Sequence, residues 1–129
     1  MKVDSAGYSP LQLAYLGDAV FELLVRRHVL EQKRVAVNTL HKKTRAFVNA
    51  GAQAAMYHQL EPILSEEESS VMRRGRNAKS FRVAKSSSVL EYRHATGVEA
   101  LFGYLYALGR TERLEALFKQ ITISDISEK

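Results

Sequence analysis

One stretch constrains this chain more than any other: residues 13–30, LAYLGDAVFELLVRRHVL. As a helix it makes about five turns and spans near 27 Å, at about 1.5 Å per residue. Between positions 11 and 25 its only charges are Asp18 and Glu22. On a helical projection Leu13, Leu16, Val20, Leu23 and Leu24 share one face, while Ala14, Phe21 and Val25 flank Asp18 on the other. A helix that is apolar all round is read as a buried core helix. Asp18 is therefore expected to be a carboxylate withdrawn from water, and such a group must be neutralised, paired or bound to a cation. Glu22 lies one turn on and faces the same way. The alternative is that Gly17 ends a short helix and Asp18 caps the next, which asks no chemistry of Asp18.

With 129 residues, 46% of them hydrophobic, the chain is expected to form one globular domain over 1–129. It has no cysteine, which excludes disulfides and thiolate metal sites and suits a reducing cytoplasm. Positions 1–10 carry no apolar run suited to a signal peptide, and no apolar stretch reaches the length of a membrane span. The net charge of +5 favours an anionic partner, most simply a nucleic acid.

The remaining pattern predicts an all-α fold. Ser9-Pro10 opens the first helix, which runs to about Glu31. Residues 32–37 read as a loop, Asn38 caps a second helical segment to about Leu60, and Gly51 is the expected division within it. Glu61-Pro62 breaks the pattern. Ser65 with Glu68 makes a capping box for a helix to about Arg74, and Ser88 with Glu91 makes another. Residues 75–87 read as loop, and Gly97 as an interruption of the helix that follows. Gly109 ends that helix, Thr111 caps a last one to about Gln120, and the tail from about 121 frays. Only ITIS, at 121–124, alternates as a strand does.

The segment 95–109, ATGVEALFGYLYALG, mirrors the first helix: Glu99 is its one charge, among Val98, Leu101, Phe102, Leu105 and Tyr106. Gly103, one turn later, admits the close approach of another backbone. If the two helices pack together, Asp18 and Glu99 repel in a low-dielectric setting unless one is protonated or a cation joins them. A site of oxygens alone suits Mg²⁺, or Mn²⁺ in its place. Otherwise Glu99 bonds a buried Tyr or Arg. A second feature is RRGRNAKSFRVAK at 73–85, with Arg73, Arg74, Arg76, Lys79, Arg82 and Lys85 and no acid. Without those six, 13 basic residues face 14 acidic ones, so the positive excess is local. Such a patch can grip phosphates or form a solvated basic loop.

These runs carry a family resemblance. LGDA around Asp18 and VEAL around Glu99 resemble the signature helices of the ribonuclease III family. RGRNAK at 74–79, LHKKTRAFVNAGAQA at 40–54 and Tyr92-Arg93 resemble its small subfamily, Mini-ribonuclease III, a nuclease domain without a separate double-stranded-RNA-binding domain. The resemblance implies that Asp18 and Glu99 bind the catalytic Mg²⁺ and that Glu22 contributes at most indirectly. With RGRNAK inside it, the basic run is expected to contact RNA through Arg73, Arg74, Arg76, Asn77, Lys79 and Lys85. Larger members carry two further acids where this chain has Ala14 and Thr96, a departure shared with the subfamily pattern. His41, Lys42, Lys43 and Arg45 are read equally as RNA contacts or as a wet face.

The expected function is thus a Mg²⁺-dependent endoribonuclease that cuts double-stranded RNA, leaving 5′-phosphate and 3′-hydroxyl ends. The resemblance places it in maturation of large-subunit ribosomal RNA. A two-fold homodimer would offer one centre to each strand of a duplex, with the 13–30 helix as the expected contact surface. The alternative is a non-catalytic RNA-binding or ribosome-associated protein, favoured by Ala14 and Thr96 and opposed by retention of Asp18 and Glu99. A DNA-binding helical protein lacks any helix-turn-helix pattern in its support.

Overall fold

Local chemistry sets most of the helix boundaries. The computed structural model describes residues 7–32, 34–79 and 88–127, with side chains through Thr122. The described residues form α1 (Pro10–Gln32), α2 (Val37–Val48), α3 (Ala50–Leu60), a 3-10 turn (Glu61–Ile63), α4 (Glu66–Asn77), α5 (Val89–Ala107) and α6 (Thr111–Ser127), with no strand among them. Ser9 caps α1 with Pro10 in its first position. Gln12 N–H donates to Ser9 Oγ at 3.1 Å, and Ser9 N–H donates back to Gln12 Oε1 at 2.9 Å. Both Ser/Glu capping boxes form, Ser65–Glu68 before α4 and Ser88–Glu91 before α5. Gly109, at φ 74°, ends α5: its N–H reaches Tyr106 O and that of Arg110 reaches Leu105 O, the paired bonds of a Schellman motif.

Several expected boundaries move. Asn38 lies inside α2, and Ala36 holds the cap position without a side-chain bond. The break before α3 falls at Asn49 and not at Gly51. Asn49 serves both helices, because its Nδ2 donates to the carbonyls of Arg45 and Ala46 while its Oδ1 accepts from Ala52 N–H at 2.8 Å. α4 continues through Asn77, so the Arg73–Asn77 run is helical; its cations lie at the negative end of the helix dipole. Gly97 does not interrupt α5. Thr111 is the first helical residue of α6 and not its cap. Residues 121–124 continue α6: Ile121 is buried, and Thr122 turns its hydroxyl back to the carbonyls of Phe118 and Lys119, as a helix allows.

α5 is the centre of the fold, with α1, α3 and α4 packed along it. Val98, Ala100, Leu101, Phe102 and Leu105 are wholly inaccessible. Phe21 of α1 meets Phe102 edge-on at 5.3 Å between centroids and Phe118 of α6 at 6.1 Å. α1, expected to be buried all round, is buried on one face only, through Leu13, Ala14, Gly17, Val20, Phe21, Leu24, Val25 and Val29. Leu23, assigned to that face from the projection, is 66% exposed, beside Tyr15 at 86% and Leu30 at 64%. No described helix is long and apolar enough to cross a membrane.

Polar ties fasten α4 to the far end of α5 and the start of α6. Tyr104 donates its phenolic hydrogen to Glu67, and Arg110 donates to the same carboxylate at 3.2 Å. Arg113 donates to both oxygens of the buried Glu68, at 2.8 and 2.9 Å, and to the Ile63 carbonyl at 2.9 Å. The Arg113 guanidinium holds the Glu68 carboxyl below the usual carboxylate range despite its burial.

Candidate active site

α1 and α5 cross at two glycines, and that crossing builds the site. A Cβ on Gly17 would stand 1.6 Å from the Glu99 carbonyl oxygen. One on Gly103 would stand 2.0 Å from the carbonyl oxygen of Leu13. Only two helices without side chains at those points can come so near. Asp18 follows Gly17 directly and Glu99 precedes Gly103 by one turn, so backbone contact brings the two acids together. α1 runs unbroken through Gly17, which removes the alternative of a capping Asp18.

The burial expected of Asp18 belongs instead to Glu99. Asp18 lies on the rim of the buried face of α1 and is exposed, whereas Glu99 is largely enclosed. Burial is the largest cause that pushes the Glu99 carboxyl up to about 8; the charge of Asp18 and a hydrogen bond to it follow, opposed by the nearby Gln53 amide. At neutral pH Glu99 therefore holds a proton and donates it to the Asp18 carboxylate. Two carboxylates that share one proton form a charge deficit that a hard divalent cation can fill in the proton's place. The donor set fits Mg²⁺ or Mn²⁺: oxygens only, with no thiolate or imidazole between them. Among the described residues no group of three or more His, Cys, Asp or Glu converges, and Asp18 and Glu99 are the two carboxylates that meet at the crossing.

The other candidates are distributed around this pair. Ala14 and Thr96, which stand where larger relatives carry acids, are buried, and Thr96 spends its hydroxyl on the Tyr92 carbonyl at 2.9 Å. Glu22 is held by Arg26, with the ion pair at 2.7 Å, on the outward side of α1. A cleft of about 500 Å³ opens beside Glu99 between the start of α3 and the first half of α5, with Asn49, Gly51, Gln53, Glu91, Tyr92 and Thr96 in its walls. Gln53 does not stand out by motif or charge. Its signal was available: it stands three, four and seven residues before Met56, Tyr57 and Leu60, as a polar residue on the core stripe of α3.

Arg73, Arg74, Asn77 and Lys79 are exposed near the end of α4. Arg76 is partly buried; its Nε–H donates to Asn77 Oδ1 at 3.1 Å, and its guanidinium lies 5.8 Å from the centre of the Tyr57 ring. Arg76 thus packs on the protein while its neighbours face solvent. His41, Lys42 and Arg45 are exposed on α2. Arg82 and Lys85 lie outside the described residues.

Residues 11–110, which include the α1–α5 crossing, match the family described as the ribonuclease III domain, and the chain is an endoribonuclease. The chain is similar to the Mini-ribonuclease 3 of Clostridium tetani, 46% identical over 121 residues, which cover 93% of this chain and 80% of that protein. It is 51% identical to the Mini-ribonuclease 3 of Symbiobacterium thermophilum over 110 residues, 85% of each. A crystal structure of a protein from Fusobacterium nucleatum shares the fold at a TM-score of 0.84 and 37% identity, covering 99% of this chain and 100% of that one. The chain belongs to the ribonuclease III family, with the Mini-ribonuclease 3 proteins as its near relatives.

Proposed function

We propose that this endoribonuclease cuts double-stranded RNA with a divalent cation, Mg²⁺ or Mn²⁺, held by Asp18 and Glu99. The observation that carries the reading is the meeting of these two acids at the glycine crossing, where burial and the charge of Asp18 push the Glu99 carboxyl up to about 8 and a cation would offset both. When bound, the cation supplies Lewis acidity at the scissile phosphate and lowers the pKa of water. Asp18, on the open rim, faces the side from which a phosphate can approach. Glu99, enclosed behind it, keeps its carboxyl in a setting of low polarity where charge interactions are strong. Arg73, Arg74, Asn77, Lys79 and Lys85 hold phosphates and perform no chemistry, with Arg76 braced against Tyr57. The products carry 5′-phosphate and 3′-hydroxyl ends.

The working unit is a homodimer. The outward face of α1 supports this: Tyr15 and Leu23 are apolar and exposed beside Asp18, and Leu30 is exposed further along the helix. A two-fold pairing on that face covers them and sets one carboxylate pair against each antiparallel strand. The substrate in the cell is the precursor of large-subunit ribosomal RNA, in the cytoplasm; the family relationship supports this assignment.

The test is cleavage of a long RNA duplex with and without Mg²⁺, beside a DNA duplex of the same sequence. Asp18→Asn is nearly isosteric and removes the charge that faces the cation. Its cleavage should fall by orders of magnitude while RNA affinity holds. Turnover equal to wild type at saturating Mg²⁺ would refute the assignment.

A further inference from the structure

We propose that Gln53 is a positioning residue for Glu99: its amide nitrogen holds one carboxylate oxygen so that the other faces Asp18 and the cation site. The inference rests on the reading of Asp18 and Glu99 as the cation-holding pair.

Gln53 is 3% exposed, on the same stripe of α3 as Met56, Tyr57 and Leu60. Its Nε2 makes no hydrogen bond of regular geometry, the one buried side-chain nitrogen or oxygen among the described residues in that condition, yet it lies close enough to Glu99 to favour that carboxylate's charged form. An unpaired buried donor costs about 1–3 kcal/mol. A methionine or leucine would fill the same space at no such cost, so the amide asks for a reason beyond packing. Its neighbours narrow what the nitrogen can serve. Asn49 Oδ1 already accepts from Ala52, Glu91 Oε1 accepts from Ser88, and the Thr96 hydroxyl is turned to the Tyr92 carbonyl. Two carboxylates line the cleft: Glu91 Oε2 lies toward Gly51, and Glu99 is the one whose charged form the Gln53 amide favours.

An amide nitrogen donates only and cannot ligate a cation, but a carboxylate has lone pairs on both oxygens. Gln53 can therefore take the oxygen that the cation does not. Carboxylate ligands are commonly held this way, and loss of such a support costs about 10- to 100-fold in metal affinity. Gln53 arrives on α3, independently of the α1–α5 crossing, so three helices fix the orientation of one carboxylate.

The experiment measures Mn²⁺ binding to the full chain without RNA, by electron paramagnetic resonance, together with thermal unfolding. Gln53→Met, linear and of similar size, should leave Tm unchanged or raised and weaken Mn²⁺ binding about tenfold. That loss should persist in an Asp18→Asn background and shrink to less than about twofold in Glu99→Gln, because Gln53 acts through Glu99. Wild-type Mn²⁺ affinity in Gln53→Met would overturn the proposal, as would a loss that persists undiminished beside Glu99→Gln. A fall of several degrees in Tm for both Gln53→Met and Gln53→Leu would also overturn it and assign Gln53 to packing. A wild-type chain that binds no Mn²⁺ would overturn the carboxylate-pair reading itself, and this inference with it.

Discussion

Without a divalent cation, this protein should lose stability as the pH rises through neutrality, and Glu99→Gln should abolish the loss. Folding raises the Glu99 carboxyl from 4.5 to about 8. A raised carboxyl favours the folded state fully below its unfolded value. The contribution declines as pH rises above about 4.5, because the unfolded chain releases the proton first, and it is gone above about 8. At about 1.4 kcal/mol per pH unit the whole contribution is about 5 kcal/mol, or nearer 3 after the share owed to exposed Asp18 is screened by solvent. For a chain of this length that corresponds to a fall in Tm of roughly 10–20 °C. Urea denaturation in a chelator, at intervals from pH 4.5 to 9, supplies the measurement. The stability of Glu99→Gln minus that of wild type should grow by about 3–5 kcal/mol across the window and then level off. Mn²⁺ should restore wild type at pH 8 and leave the Gln variant little changed. The lowered carboxyls of Glu67 and Glu68 act on the acid side, below about 4.5, and do not overlap this window. Parallel pH profiles for the two proteins would refute the argument that Glu99 is enclosed and repelled by Asp18.

Four further outcomes follow from the same geometry. Gly103→Ala places a Cβ 2.0 Å from the Leu13 carbonyl oxygen, so α1 and α5 must part. Denaturation should show a loss of about 2–4 kcal/mol, and cleavage measured where the fold remains populated should fall further as Asp18 leaves Glu99; unchanged stability and rate would contradict the close crossing. Arg113→Met strands the buried Glu68 carboxylate and should cost about 3–5 kcal/mol at pH 7, a difference that shrinks as pH drops through the lowered Glu68 range. Replacing Arg74 or Lys79 by Gln should each reduce the salt slope of RNA binding by about 1, whatever the duplex sequence; a slope that stays put would make that side chain a bystander. Leu23→Glu, on the outward face of α1, should yield a folded monomer in sedimentation, while mixtures of wild-type and Asp18→Asn chains should nick one strand; efficient cutting of both strands by a monomer would rule out the dimer.

Much of this protein is legible in its residues alone, because some physical effects are local. Helix caps act over three residues, so Ser9-Pro10, Ser65–Glu68, Ser88–Glu91 and Gly109 announce their helix ends without reference to the rest of the chain. An isolated acid in an apolar helix is equally conspicuous, and Asp18 and Glu99 both stand out in that way. Other properties arise only when helices meet. Projection placed Leu23 in the core and Asp18 out of water, but which arc of α1 is covered depends on where α5 crosses it, and Gly17 and Gly103 decide that. The division at Asn49 and the helical course of residues 121–124 depend on what those residues find to bond and bury. The unpaired amide of Gln53 becomes visible only once its neighbours have been assigned to other partners. Sequence by itself thus determined the all-α class, the caps at Ser9, Ser65, Ser88 and Gly109, and the two isolated acids. The tertiary structure decided which acid is enclosed, which apolar face of α1 stays exposed, and which buried amide shares the cleft with Glu99, because burial and like-charge repulsion are set by the distances between elements and not by order along the chain.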